Sequence, residues 1–119
     1  AHVVPFVQHA ALADFYRIAD VAVWPLQESM SMLDAAASGL PIVVSSSVGE
    51  RARVDGNGAF YREGDVGNLE EVLEMMMDPD TRRRLGQAGR DKMVREFSWD
   101  AVAEKLERDY VGIAGDLLA

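Results

Sequence analysis

Val21-Ala22-Val23-Trp24-Pro25, Ser31-Met32-Leu33-Asp34-Ala35-Ala36-Ala37-Ser38-Gly39 and Pro41-Ile42-Val43-Val44-Ser45 follow one another closely in the chain. The outer two are near-continuous apolar runs rich in β-branched residues, the pattern of strands covered on both faces. The middle stretch reads as a short helix. Gly39 supplies the left-handed residue that ends it, and Pro41 cannot continue it. Strand, helix, strand at this spacing is the pattern of a βαβ unit with parallel strands.

Working outward, Val3-Val4-Pro5-Phe6-Val7 reads as a further strand, although Pro5 donates no ladder hydrogen bond. A helix is expected from His9 to Ala19, with Leu12, Phe15, Tyr16 and Ala19 on one face. Residues 46–64 are rich in turn formers, with one short strand at Ala59-Phe60-Tyr61. Asp65 is placed as an N-cap for a helix through Leu69, Val72, Leu73 and Met76. Asp78-Pro79 breaks that helix, and Asp80 or Thr81 starts another through Leu85 to Val94. Ser98 caps a last helix whose apolar stripe is Val102, Leu106, Tyr110 and Ile113. The expected fold is α/β: a Rossmann-like three-layer fragment, 1–119, with a small parallel sheet of three or four strands. Helices on both faces and a helical C-terminal tail complete it.

Composition narrows the function. The 119 residues carry 20 acids and 12 bases, a formal net charge of −8, with 49% apolar residues. That is the profile of a folded globular domain rather than a disordered chain. The acidic balance argues against non-specific nucleic-acid binding, which needs Lys and Arg to displace counterions. With no Cys, a disulfide scaffold, a thiolate zinc site and a Cys nucleophile are excluded. No apolar run reaches the roughly 20 residues that span a bilayer, and no leader-like pattern opens at Ala1. A cytoplasmic location is expected. Because the chain opens directly on an apolar run, an excised piece of a longer protein is also expected.

The chemistry concentrates between Trp24 and Pro41. A loop leaves the carboxyl end of a strand and enters a small-residue helix, the place where open α/β sheets bind ligands. Backbone amides near Ser29, Met30, Ser31 and Met32 suit a phosphate. Glu28, just before the helix, and Asp34, about one turn inside it, are pure acceptors when ionised and suit sugar or ribose hydroxyls. The competing reading of Asp34 is local: Ser31 and Asp34 have capping-box spacing.

The run Leu33-Asp34-Ala35-Ala36-Ala37-Ser38-Gly39-Leu40-Pro41-Ile42-Val43 resembles the donor-binding signature of the retaining, nucleotide-sugar-dependent glycosyltransferases of group 1 (family 4 type, GT-B fold), which have two Rossmann-like domains. Three further blocks match in order. Leu12-Ala13-Asp14-Phe15-Tyr16-Arg17-Ile18-Ala19-Asp20 is similar to the helix before the signature, and Asp55-Gly56-Asn57-Gly58 with Gly64-Asp65 to a turn block after it. Asp78-Pro79, Arg82, Leu85-Gly86 and Phe97-Ser98-Trp99 are similar to the helical tail. Together they cover nearly the whole chain.

The resemblance implies that the chain is the carboxyl-terminal part of a domain gripping a UDP-, GDP- or ADP-sugar. An amino-terminal acceptor domain of the same enzyme and the basic residues that neutralise the leaving diphosphate would lie upstream. On this view Asp34 stands where the family holds the nucleotide ribose, and Glu28 resembles the first acid, which approaches the donor sugar. Five residues separate the two, and the link between them is Ser29-Met30-Ser31-Met32. The substrate-binding set is therefore Glu28, Ser29, Met30, Ser31, Met32 and Asp34. No catalytic residue, metal or cofactor is assigned within the fragment, which is expected to be inactive alone. Arg51, at a position where many members carry a glutamate, is given no role.

Two other classes fit an α/β chain of this size. A receiver- or flavodoxin-like interaction module would need an acidic cluster at an early strand end and a Lys late in the sheet; here Asp20 precedes its strand, and Lys92 and Lys105 lie in helical segments. A nucleotide-sugar epimerase of similar architecture shares the fold, but the tail ending Phe97-Ser98-Trp99 favours the transferase. Elsewhere the plain readings prevail. His9 is expected at a helix start without an acidic partner in sequence reach, and His2 with His9 lacks a third metal ligand. Arg82-Arg83-Arg84 reads as a solvated helix face and Met75-Met76-Met77 as core filler. Ser45-Ser46-Ser47 lacks the glycines of a nucleophile elbow.

Overall fold

The computed structural model describes residues 2–25, 29–49 and 51–118. Strands β1 (Ala22–Trp24), β2 (Ile42–Ser45) and β3 (Gly58–Tyr61) form a parallel sheet in the order β1-β2-β3. Val23 pairs with Val43, and Val43 with Ala59. Helices α1 (His9–Ile18), α2 (Ser31–Ala37), α3 (Val66–Met75), α4 (Pro79–Lys92) and α5 (Trp99–Leu118) surround it.

The central strand explains the layering. All four residues of β2 are buried, and alternation sends them to opposite faces. Ile42 and Val44 join Met32, Ala35, Ala36, Val54 and Met93 beneath α2. Val43 joins Tyr61, Val72, Met76 and Leu85 beneath α3. Each fully buried aliphatic contributes about 1.5–3 kcal/mol, so this strand anchors both halves of the core.

One expected strand is absent. Residues 2–8 form no regular element, and Val3 and Phe6 are 97% and 95% exposed. A strand exists only through pairing, and none of the three strands pairs with this segment; Pro5 also removes one donor. The sheet's third member is instead the short run ending at Tyr61. The other boundaries follow their local chemistry. Gly39 takes φ +83° after α2, and the Asp65 carboxylate accepts from the Asn68 amide at 2.9 Å to cap α3. Helix α4 starts at Pro79, one or two residues before the expected Asp80 or Thr81. Pro79 occupies its first turn, and Asp78 caps it by accepting from the amides of Asp80 and Thr81.

Helix α4 crosses below the sheet and locks its lower loops. Gly86 lies directly on the Gly39 carbonyl: a Cβ there would stand 2.0 Å from that oxygen. Lys92 is buried. Its Nζ donates to the carbonyls of Ala52 at 2.6 Å and Asp55 at 2.7 Å, and to Asn57 Oδ1. Burial pulls this ammonium below its usual range; the charges of Glu96 and Asp55 oppose that shift and Arg95 adds slightly to it. A π-helical turn, Met93–Phe97, then redirects the chain into α5. Ser98 Oγ accepts from the Ala101 amide at the start of α5. The apolar stripe of that helix is uncovered among the described residues, from Val102 to Tyr110 and Ile113.

The two sequence runs of like residues divide. Met76 is core while Met75 and Met77 are exposed. Arg82 donates to the carbonyls of Met76 and Met77, both at 2.9 Å, closing the end of α3; Arg83 pairs with Asp80 at the surface.

Candidate functional site

The carboxyl ends of the strands are tied together. Tyr61, at the end of β3, donates its hydroxyl to the Pro25 carbonyl just past β1 at 2.5 Å. The Ser46 amide donates to the Tyr61 carbonyl at 2.8 Å, and Ser46 Oγ accepts from the Glu63 amide at 3.2 Å. Ser45 and Ser47 share a hydroxyl–hydroxyl bond of 2.9 Å. The three serines therefore shape the loop. Beside them the Arg51 guanidinium stacks over the Phe60 ring, 4.0 Å from its centre.

Of the residues singled out by sequence, Glu28 lies outside the described residues. Ser29 and Ser31 join through their hydroxyls at 2.8 Å, and Ser29 Oγ also accepts from the Ser31 amide at 3.2 Å. The Met32 amide donates to the Ser29 carbonyl and the Leu33 amide to that of Met30, each at 3.0 Å. The amides of Ser31 and Met32 thus already have acceptors inside the turn. Met30 projects into solvent, whereas the Met32 side chain is 1% exposed and belongs to the core.

Asp34 is placed differently from a capping residue. Met30, which precedes α2, gives no side-chain cap, and Ser31 Oγ is engaged with Ser29 rather than with the amide of Asp34. The Asp34 carboxylate instead meets His9 across 25 residues of chain, Oδ2 to Nε2 at 2.8 Å. Its backbone carbonyl is held by Ser38, through the amide at 3.0 Å and the hydroxyl at 2.9 Å. The capping-box expectation is therefore replaced by a tertiary pair. His9, which has no acidic partner in sequence reach, thus gains one through the fold.

Two clefts flank this carboxylate. One, about 270 Å³, lies between α1 and α2 and is lined by His9, Ala13, Tyr16, Asp34, Ala37 and Ser38. The other, about 230 Å³, lies between α2 and the turn into α5, with Asp34 and Ala37 on one wall and Met93 and Phe97 on the opposite one. The small Ala13 and Ala37 line the first cleft between these polar groups. Partial burial, and secondarily the negative charge of Asp34, push the Tyr16 hydroxyl above its usual 10.0. The arrangement offers a carboxylate, an imidazole and a phenol on one concave, half-open surface, a set suited to recognising hydroxyls. Among the described residues no group of three or more His, Cys, Asp or Glu stands close enough to hold a metal ion. None of the described helices is long and apolar enough to cross a membrane.

Sequence reasoning missed His9 as part of this surface. The available signal was the shared stripe. His9, Ala13 and Tyr16 recur at helical spacing on α1, as Asp34, Ala37 and Ser38 do on α2, and each stripe alternates small with polar residues.

Comparison with known proteins agrees with this architecture. The family described as "Glycosyl transferases group 1" matches residues 1–78. A D-inositol 3-phosphate glycosyltransferase of Thermomonospora curvata is 35% identical over 106 residues, covering 85% of this chain and 25% of the relative. An MMP alpha-(1->4)-mannosyltransferase of Mycolicibacterium hassiacum is 40% identical over 99 residues, covering 77% of this chain and 24% of the relative. Among solved structures, a sucrose-phosphate synthase from Thermosynechococcus elongatus superposes with a TM-score of 0.80 at 26% identity, covering 95% of this chain and 30% of that one. The chain thus spans about a quarter of the length of the curated relatives it matches.

Proposed function

The chain belongs to the group 1 glycosyltransferase family, and from that premise we propose that it is the donor-binding part of a longer enzyme. That enzyme transfers a sugar from a nucleoside diphosphate to an acceptor with retention; the nucleotide is UDP, GDP or ADP. The acceptor is brought by an amino-terminal domain of the same protein, and the enzyme works in the cytoplasm. Family membership favours this reading over the receiver-like and epimerase alternatives.

The observation that carries the proposal is Asp34. Its carboxylate stands at the rim of an open cleft, spent on neither its own helix nor the core. An ionised carboxylate accepts hydrogen bonds only, so a vicinal pair of ribose hydroxyls is its natural partner. The diphosphate would lie toward the Ser29–Met30 turn. There the amides of Ser31 and Met32 are already bonded to Ser29, so these two residues shape the turn rather than donate to the phosphate, and the buried Met32 side chain anchors it to the core. Glu28 is assigned to the donor sugar by its position in sequence, before this turn. Cleavage of the sugar–phosphate bond releases a diphosphate whose growing charge needs cations, usually a large term in the rate; the reading places those cations upstream of Ala1.

The test is calorimetric titration of the full-length protein with UDP, GDP and ADP, repeated on Asp34→Asn. Losing a hydrogen bond to a charged acceptor costs about 1.5–3 kcal/mol, or about tenfold to 150-fold in affinity. That weakening, with an unchanged melting temperature, supports the assignment. Unchanged affinity for all three nucleotides overturns it.

A further inference from the structure

The His9–Asp34 pair is poorly suited to stabilising the fold. The two side chains are 79% and 43% exposed, and exposed pairs contribute little in water. Its geometry is more telling. His9 opens α1, so its backbone is fixed by that helix, and Asp34 is fixed from behind by the two bonds from Ser38 to its carbonyl. With both backbones held, the side-chain torsions of His9 and Asp34 remain, and the 2.8 Å contact between Oδ2 and His9 Nε2 restrains the two against each other. Because an ionised carboxylate cannot donate, the imidazole presents its Nε2–H to it. One carboxylate oxygen is thereby held against α1, and the other has no hydrogen-bond partner among the described residues. Both residues line the same cleft, beside Tyr16.

We propose that His9 is a positioning residue for nucleotide recognition: by holding Asp34 Oδ2 it aims Oδ1 at the ribose hydroxyls of a nucleoside diphosphate. This rests on the donor-site reading of Asp34. It adds that the preference for a ribose over a sugar without those hydroxyls depends on an imidazole from the neighbouring helix. A carboxylate free to rotate would have to be ordered on binding, and that ordering opposes affinity.

The experiment uses the full-length protein and its tightest-binding nucleoside diphosphate from the titration above. Affinity for it and for its 2′,3′-dideoxy analogue is measured in the wild type, His9→Ala, His9→Gln and Asp34→Asn. His9→Ala is expected to bind the ribonucleotide about two- to tenfold more weakly and the dideoxy analogue unchanged, so the ratio between them shrinks. His9→Gln, which keeps a donor, is expected to restore part of that ratio. A purely structural role would weaken both ligands together. If Asp34→Asn loses the ribose preference while His9→Ala retains it, the positioning role is refuted and the donor site stands. If Asp34→Asn retains it too, both fall.

Discussion

Gly86→Ala is the sharpest test of how α4 is seated. An ideal Cβ at this position would stand 2.0 Å from the Gly39 carbonyl oxygen and 2.9 Å from its carbon. Carbon and carbonyl oxygen rarely approach closer than about 3.3 Å, so α4 and the end of α2 must separate by roughly 1.3 Å. Both partners are backbone and cannot rotate away. The Gly39 and Leu40 amides bond back to Ala36 and Ala35 at 3.0 and 3.1 Å, so moving Gly39 strains the end of α2 as well. Overpacking of this kind costs about 1–3 kcal/mol or more, against a helix-propensity gain of up to about 1 kcal/mol for replacing Gly by Ala. With backbone on both sides the cost sits toward about 2–3 kcal/mol, so a net loss of about 1–2 kcal/mol is expected once the propensity gain is subtracted. The control is Gly112→Ala, also inside a helix, where an added Cβ meets nothing within 4 Å. There only the propensity acts, and a gain of up to about 1 kcal/mol is expected. Urea unfolding followed by circular dichroism measures both. Equal or increased stability in Gly86→Ala would refute the close approach of α4 to the Gly39 turn.

Further outcomes follow, three from the same structure and a last one from the proposed function. Lys92→Met keeps the aliphatic stem but leaves three acceptors without their donor, an expected loss of about 1–3 kcal/mol in denaturant midpoint experiments. Because burial lowers the Lys92 pKa from its usual 10.5, the folded chain releases that proton before the unfolded one does. Stability should therefore rise with pH in the alkaline range below 10.5, and Lys92→Met should lack that rise. Asp78 runs the other way. The Thr81 hydroxyl and two amides hold its pKa below the usual 3.8, so its cap is fully present above that pH and is lost as pH falls through the lowered value. The melting-temperature deficit of Asp78→Ala should accordingly be constant near neutrality and vanish in strong acid. Finally, the purified 1–119 chain is expected neither to hydrolyse nor to transfer sugar from any of the three donors. Turnover abolished by Asp34→Ala would contradict the placement of the acceptor domain and cations upstream.

The elements most legible in the sequence were those with local signals. Val21–Ser45 announced its strand–helix–strand order through two apolar runs, Gly39 and Pro41, and Asp65 and Ser98 act as the caps their positions suggest. Val3–Val7 misled because its pattern is strand-like, whereas a strand needs a partner that composition cannot supply. The apolar stripe of α5 was legible, but not that it would lie uncovered among the described residues. At the site, Asp34 could be found from its place at the start of α2, yet its two local readings were indistinguishable in sequence. Only the docking of α1 on α2, which brings together residues 25 apart, turned the carboxylate toward the cleft and drew His9 in. Lys92 escaped notice for the same reason, since its acceptors lie about 35–40 residues upstream.

The most direct measurement is a crystal structure of the full-length protein with a nucleoside diphosphate bound. A ribose hydroxyl is expected within hydrogen-bonding distance of Asp34 Oδ1, about 2.5–3.0 Å, with the His9 contact to Oδ2 intact and the diphosphate beside the Ser29–Met30 turn. A nucleotide bound with its ribose away from Asp34, and that carboxylate still facing only His9, would contradict it.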